Sequence, residues 1–182
     1  MAKKTLTWKG LYLGRTNGSG EGLFAKVDFK KGNLIFTWEG ELKKGRYPWY
    51  VGDRWLQIEK CRWIAPIRNN PGWYINHSCN PNSGIKDSVN IVAIKNIRRG
   101  EEVTFDYSTS ESENGWYLKC HCENKNCRRI IRSYKFLSTE LKLKYRDYIS
   151  EYLKRSSICA NLDNDNGKLT TMSTMEDEMQ RT

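Results

Sequence analysis

The chain has 182 residues and a mass of 21.3 kDa, which favours one domain with an appendage over two full domains. Hydrophobic residues make up 38% of the chain and charged residues 29%. No apolar run reaches the roughly 18–20 residues that cross a bilayer, so a transmembrane protein is excluded. The basic amino terminus is not followed by an apolar stretch or a small-residue cleavage site, so an intracellular protein is expected.

The positive charge is concentrated in the C-terminal third. The formal net charge is +10, but residues 159–182 carry five acidic and two basic residues, so the rest of the chain has a net charge of +13. Residues 119–155 alone contain eleven basic and four acidic residues. Such a surface permits contact with nucleic acid or an acidic protein, although it is equally common as an aid to solubility.

Short apolar segments bounded by Gly, Pro, Asn or Asp predict a mainly β chain. The predicted strands are 5–14, 22–27, 33–38, 55–58, 62–65, 89–95 and 101–105. Farther on, Leu141, Tyr145, Tyr148 and Tyr152 recur at helical spacing, which predicts one amphipathic helix over about 138–154 with Ser138 as its N-cap. The segment 159–182 has no periodicity and is predicted to be a disordered polar tail.

Three cysteines form a compact group that indicates a metal site. Cys120, Cys122 and Cys127 lie within eight residues, and a tetrahedral zinc ion would need a fourth ligand from elsewhere. His121 lies between two of these cysteines and would point away from a metal that they share, so Cys79 is the better candidate. Reduced core or surface thiols are the alternative explanation.

Four segments, in their order and spacing, resemble the SET-domain protein lysine methyltransferases. They are Gly20-Glu-Gly-Leu-Phe-Ala, Trp38-Glu-Gly-Glu, Asn76-His-Ser-Cys-Asn-Pro-Asn and Gly100-Glu-Glu-Val-Thr-Phe-Asp-Tyr. The cysteines at 120, 122 and 127 match the post-SET zinc loop of that family, and the resemblance covers about residues 10–132. It implies a SET-domain fold of short-stranded sheets, with a C-terminal pseudoknot that brings positions 76–82 beside positions 105–107. That pseudoknot would carry Cys79 to the post-SET loop.

The resemblance also implies two cofactors, S-adenosylmethionine and a structural zinc ion, and it assigns residues to each. The residues assigned to S-adenosylmethionine are Gly20, Glu21, Gly22, Leu23, Asn76, His77 and Trp116, and those assigned to zinc are Cys79, Cys120, Cys122 and Cys127. Tyr107 would be the catalytic tyrosine and Phe105 the product-specificity position. Trp38 would line the substrate pocket, where other members often carry a tyrosine.

Several of these residues also have an ordinary structural explanation. The glycine-rich turn is compatible with a simple hairpin, and an Asn-His pair is common in turns or as a satisfied core pair. A buried tyrosine such as Tyr107 commonly donates its hydroxyl to a backbone group. Trp116 is equally well explained as an anchor for its loop.

The predicted organisation has four parts and one leading function. The parts are a SET domain (1–109), a post-SET zinc-binding segment (110–132), a C-terminal amphipathic helix (133–156) and a disordered polar tail (157–182). The expected activity is protein-lysine N-methylation of a protein substrate, with histones among the candidates and with nucleosome or nucleic-acid contact through the basic surface. No membrane contact is expected, and the expected compartment is the nucleus in a eukaryote or the cytoplasm in a prokaryote.

Two other functions compete with this prediction. One is a catalytically silent SET-like module that binds chromatin or nucleic acid. The other is a basic nucleic-acid-binding zinc protein without a cofactor, which would need an exposed stripe of aromatic and basic side chains.

Overall fold

The computed structural model describes residues 6–16, 20–45 and 54–155, so the predicted tail (157–182) lies outside the described residues. Within these ranges the chain consists mainly of short strands joined by tight turns, which confirms the predicted fold class. The strands are β1 (Thr7–Trp8), β2 (Leu11–Arg15), β3 (Glu21–Ala25), β4 (Leu34–Thr37), β5 (Gly40–Lys44), β6 (Leu56–Glu59), β7 (Arg62–Pro66), β8 (Asn76–His77), β9 (Ser83–Lys86), β10 (Asn90–Ala93), β11 (Thr104–Phe105), β12 (Tyr117–Lys119) and β13 (Ile130–Arg132).

The helical elements are short. They are α1 (Thr139–Lys144), α2 (Glu151–Arg155) and 3-10 turns at Pro71–Trp73, Tyr107–Thr109, Tyr134–Phe136 and Arg146–Tyr148. None of the helices in the described ranges has the length and apolar character that a membrane span requires.

The strands form several small sheets instead of one large sheet. Three sheets have three strands each, in the orders β1-β2-β3, β4-β10-β9 and β5-β7-β6, and two further pairs are β8 with β11 and β12 with β13. Among these pairings, only β8 and β11 run parallel. Four of these sheets pack their apolar faces into a shared core, whose fully buried members include Leu11, Leu23, Ile85, Ile91 and Val103. The β12–β13 pair instead contributes Ile131 to a second cluster around Cys79 and Trp116.

The parallel pair joins two segments that are distant in sequence. Thr104 lies opposite Asn76 and Phe105 opposite His77. Asn82 extends this junction, because its Nδ2 donates to the Glu102 carbonyl at 2.7 Å and its Oδ1 accepts the Thr104 N–H at 2.9 Å. The predicted placement of positions 76–82 beside positions 105–107 is therefore confirmed.

The prediction of one amphipathic helix near the C-terminus (133–156) is wrong. The segment is divided into α1, the 3-10 turn Arg146–Tyr148 and α2. Ile149 has an extended backbone (φ −100°, ψ 139°), and the Ser150 N–H donates to the Thr109 carbonyl at 2.9 Å. In a continuous helix the Ser150 N–H would donate to the carbonyl four residues earlier in the chain. Here it donates to Thr109 instead, so the helix is interrupted.

The apolar stripe of this segment nevertheless packs as one unit. Tyr145, Ile149 and Leu153 are buried and form a cluster of their own. The predicted N-cap is correct, because the Ser138 hydroxyl accepts the N–H of Leu141 at 3.3 Å. The segment covers the 3-10 turn that begins at Tyr107, to which the Ser150–Thr109 hydrogen bond ties it.

Candidate functional site

Two cavities meet at Tyr107. The larger has a volume of about 510 Å³ and is bordered mostly by polar groups, among them Gly20, Glu21, Asn76 and His77. The smaller has a volume of about 20 Å³ and mainly aromatic walls. Tyr107 lines both cavities, and so does Trp38. The volume of the larger cavity lies in the range of about 300–1,000 Å³ that is typical of small-molecule sites.

Tyr107 is held at both its main chain and its side chain. Its hydroxyl donates to the Ile75 carbonyl at 2.7 Å, and its backbone N–H donates to Nδ1 of His77 at 3.2 Å. The ring packs against Phe105, with the two ring centroids 4.9 Å apart. The phenol is therefore fixed in one orientation between the two cavities.

His77 uses both ring nitrogens within the protein. Nδ1 accepts the N–H of Tyr107, so Nε2 carries the proton and faces Sγ of Cys79 at 3.3 Å. Burial, with a smaller contribution from the positive charge of Arg128, lowers the pKa of His77 to about 3, which keeps the ring neutral. A ligand in the larger cavity would consequently meet the main chain and the ring face of His77.

Asn76 connects three segments through one amide group. Its Nδ2 donates to the Glu21 carbonyl at 3.0 Å and to Oε1 of Glu102 at 2.8 Å. Gly22 is required beside this contact, because a Cβ there would lie 2.5 Å from the same Glu102 oxygen and 3.0 Å from Nδ2 of Asn76. The glycine therefore permits close packing of the protein around Asn76.

Three of the residues predicted to bind S-adenosylmethionine, namely Gly22, Leu23 and Trp116, do not line the larger cavity. The Leu23 side chain is fully buried in the main core, and its carbonyl accepts the N–H of Val103. Trp116 is also buried; it lines the smaller cavity and packs with Cys79 and Ile131. The structural explanation of Trp116 as a loop anchor agrees with this position.

The smaller cavity brings the two predicted substrate-pocket residues together. The rings of Trp38 and Phe105 meet edge to face, with centroids 6.0 Å apart and planes at 73°. Trp55 and Glu111 also line this cavity, and sequence reasoning missed both. No local motif marks Trp55 or Glu111, since each reaches the cavity only through tertiary packing.

The four predicted zinc ligands form one cluster. The Sγ atoms of Cys79, Cys120, Cys122 and Cys127 all lie within 4.8 Å of one another, and those of Cys79 and Cys120 are 3.7 Å apart. Tetrahedral zinc with Zn–S bonds of about 2.3 Å places its sulfurs about 3.8 Å apart. The cluster therefore fits a structural zinc ion in both donor type and spacing.

The surroundings of the thiols are uneven. Although burial opposes it, hydrogen bonds from Asn124 and from the Cys79 N–H lower the pKa of Cys122 to about 6. Burial raises the pKa of Cys79 and that of Cys120. Metal ligation requires all four sulfurs as thiolates. The positive charge of a bound metal ion would therefore be needed to keep the two buried thiols, Cys79 and Cys120, deprotonated.

Comparison with known proteins identifies similar domains. The SET domain family model matches residues 20–108. Histone-lysine N-methyltransferase 2D of Homo sapiens is 31% identical over 144 residues, which cover 67% of this chain and 2% of that protein. The variant-silencing SET domain-containing protein of Plasmodium falciparum (isolate 3D7) is 30% identical over 145 residues, 65% of this chain and 6% of that protein. The chain thus spans only a small part of the length of these relatives.

A solved structure shares the fold. A crystal structure of KRYPTONITE in complex with mCHH DNA, an H3(1-15) peptide and SAH matches with a TM-score of 0.52 and 23% sequence identity. The match covers 66% of this chain and 29% of that chain.

Proposed function

The chain belongs to the SET-domain family, and we propose that it is a protein-lysine N-methyltransferase that uses S-adenosylmethionine as methyl donor. The observation that carries the proposal is the position of Tyr107, between a polar cavity of about 510 Å³ and a small aromatic cavity of about 20 Å³. Two reactants that enter from opposite sides would meet at this side chain. Such an arrangement suits a transfer reaction, because its rate depends on the relative placement of two bound molecules.

The larger cavity is the proposed S-adenosylmethionine site. Gly20, Glu21, Asn76 and His77 border it, and they offer peptide groups with a few polar side chains, which suit a nucleoside that carries an amino-acid tail. The positive φ of Gly20 (82°) and the open space around its Cβ position leave the main chain accessible there. Gly22 leaves room beside this wall for the hydrogen bond between Asn76 and Glu102.

The smaller cavity is the proposed site of the lysine amine. Trp38 and Phe105 exclude water from one side of the Tyr107 phenol. Burial in so small a cavity removes water from an ammonium group, and this desolvation lowers the pKa of the lysine towards the neutral amine that can attack. The Glu111 carboxyl in the same wall acts in the opposite direction.

The methyl transfer needs few protein groups. S-adenosylmethionine, when bound, supplies a methyl carbon attached to a cationic sulfur, which leaves as a neutral sulfide with the electron pair of the broken C–S bond. The lysine nitrogen contributes the electron pair of the new N–C bond and must have lost its proton beforehand. The chain therefore contributes orientation and desolvation, with Tyr107 fixed by its hydrogen bonds to Ile75 and His77.

Zinc binding by Cys79, Cys120, Cys122 and Cys127 is the proposed structural component. Cys79 belongs to the segment that follows β8, whereas the other three ligands lie between β12 and β13. One ion would therefore fasten the β12–β13 hairpin to the junction that holds Tyr107.

The proposed substrate is a histone lysine in the nucleus. The relatives include histone-lysine N-methyltransferase 2D of Homo sapiens and histone-lysine N-methyltransferase trithorax of Drosophila virilis, and the chain carries a strongly basic C-terminal third. Histone tails are themselves basic, so this charge is better suited to the DNA of a nucleosome than to the tail.

Two measurements on the purified chain test the proposal. The chain should bind radiolabelled S-adenosylmethionine and should transfer the label to nucleosomal histones that are added as substrate. Binding without transfer to histones or to any protein of a cell extract would instead support the silent SET-like module. Failure to bind S-adenosylmethionine in a folded, zinc-loaded preparation would refute the enzyme.

A further inference from the structure

Arg128 makes a buried ion pair that the proposed chemistry does not use. It follows the zinc ligand Cys127 directly in sequence, but its guanidinium reaches back to the turn that begins at Tyr107. Nη2 lies 2.6 Å from Oδ1 of Asp106, and Nη1 lies 3.3 Å from the hydroxyl of Ser108. The Asp106 side chain is 1% exposed and that of Arg128 is 22% exposed, so the pair is largely shielded from water.

Asp106 holds the backbone that follows Tyr107. The same Oδ1 accepts the N–H of Ser108 at 3.1 Å and so caps the 3-10 turn Tyr107–Thr109. Oδ2 has no hydrogen-bond partner among the described residues. Burial raises the pKa of this carboxyl, and the charge of Arg128 opposes that effect. The cap therefore depends on Arg128 for its compensating charge.

A second series of contacts runs from Arg128 to Tyr107 through the main chain. The backbone N–H of Arg128 donates to Sγ of Cys79 at 3.4 Å, Sγ of Cys79 faces Nε2 of His77 at 3.3 Å, and Nδ1 of His77 accepts the N–H of Tyr107. Side-chain and main-chain contacts of one residue thus converge on Tyr107 from opposite ends. Both series begin at Arg128, which directly follows the proposed zinc ligand Cys127.

We propose that Arg128 is a positioning residue, which sets the orientation of Tyr107 between the two cavities and couples it to the zinc cluster. This inference rests on the proposed methyltransferase function. Arginine suits the role because its planar fork reaches Asp106 and Ser108 together, whereas a lysine ammonium offers one point of charge. Displacements of about 1 Å at a reacting centre lower turnover by up to about 100-fold.

The test compares R128K with the matched control R129K. Arg129 is adjacent and exposed, so its substitution makes the same chemical change outside the network. We expect R128K to keep its zinc and its affinity for S-adenosylmethionine but to lose about 10-fold or more in kcat, while R129K behaves as the unmodified chain. Wild-type kcat in R128K would overturn the inference.

A spectroscopic measurement separates this inference from the proposed function. 3-Fluorotyrosine placed at position 107 should show a shifted or broadened ¹⁹F resonance in R128K but not in R129K, whether or not the chain transfers methyl groups. If the unmodified chain transfers no methyl groups but the ¹⁹F difference between R128K and R129K is present, the proposed enzymatic function is refuted and the positioning role of Arg128 is retained. An unchanged resonance in R128K would overturn the positioning role.

A second variant decides the matter if R128K loses its zinc or its folded state. D106N keeps a side-chain oxygen that can cap the turn at Ser108 but removes the charge that Arg128 engages. The proposal predicts a displaced ¹⁹F signal at position 107 and reduced kcat in folded D106N. Wild-type values of both in D106N would overturn it.

Discussion

Any residue larger than glycine at position 72 should destabilise the fold, because the indole of Trp38 lies against Gly72. A Cβ on Gly72 would be 2.6 Å from both Cδ2 and Cε2 of Trp38 and 2.8 Å from Oδ1 of Asn70. The distance from this Cβ to the Trp38 ring would be about 0.8 Å shorter than the 3.4 Å at which ordinary van der Waals contact begins. Trp38 is 5% exposed and packs on Phe105, so the ring cannot move away without disturbing the smaller cavity.

The substitution G72A is therefore expected to lower the free energy of unfolding by about 1–3 kcal/mol, the usual cost of overpacking a core. The φ of Gly72 lies outside the left-handed region, so the backbone itself contributes little to this cost. In a domain of this size each kcal/mol corresponds to about 2–4 °C in Tm. Chemical denaturation and thermal melting of the purified chain give both quantities.

The double variant W38F/G72A shows whether the indole is the cause. Phenylalanine lacks the second ring, so alanine at position 72 should cost at least about 1 kcal/mol less in the W38F background than in the unmodified chain. W38F alone serves as the control, since it removes packing without the new Cβ. An equal cost of G72A in both backgrounds would refute the reasoning.

Three further predictions concern the metal, the product and the basic surface. C79S should reduce the zinc content to well below one ion per chain and expose the β12–β13 hairpin to hydrogen exchange, because structural zinc contributes about 10–16 kcal/mol of binding free energy in small peptides. An unchanged zinc content by metal analysis would contradict this. Phe105 lacks a hydroxyl to hold a water in the space of a second methyl group, so the chain should add two or three methyl groups and F105Y should stop mostly at one. A chain that itself stops at one methyl by mass spectrometry would refute that. Replacing Lys142, Lys144 and Arg146 by glutamine should weaken binding to nucleosomal DNA and make the slope of log affinity against log salt concentration shallower, by up to about 0.9 for each phosphate that is no longer neutralised. An equal salt slope would leave α1 and the 3-10 turn that follows it as a structural cover.

The sequence was most informative where function fixes residue types and spacing. The spacing of Cys120, Cys122 and Cys127 indicated a metal site and favoured Cys79 over His121 as the fourth ligand, although reduced thiols were an alternative. The resemblance then explained how Cys79 could reach the loop, and the structure brings all four sulfurs together. Strands such as β4 and β10 could be predicted because their apolar residues face the core.

Elements that depend on distant partners could not be predicted. β5 is mostly exposed and polar, so it has no alternating pattern, and its pairing is set by β7. The β12–β13 hairpin is interrupted in sequence by the cysteine loop, which leaves two strands of three residues with no turn motif between them. Local periodicity carries no information about such pairings.

The same limit applies to the C-terminal segment and to the site. The spacing of its apolar residues is helical, but the hydrogen bond from Ser150 to Thr109 breaks the helix. Likewise, nothing local shows that Arg128 reaches Asp106, 22 positions away in sequence. Leu23 belongs to a segment that borders the larger cavity, yet it faces the core because side chains alternate along a strand.

The most direct test of the central claim is methyl transfer by the unmodified chain and by Y107F, measured side by side. Isotopically labelled S-adenosylmethionine and nucleosomes would be the reactants, with intact-mass spectrometry of the histones as readout. The account predicts transfer by the unmodified chain and a rate about 100-fold or more lower in Y107F, with the cofactor dissociation constant unchanged within about twofold. Equal rates in the two proteins would contradict the placement of Tyr107 at the reacting centre.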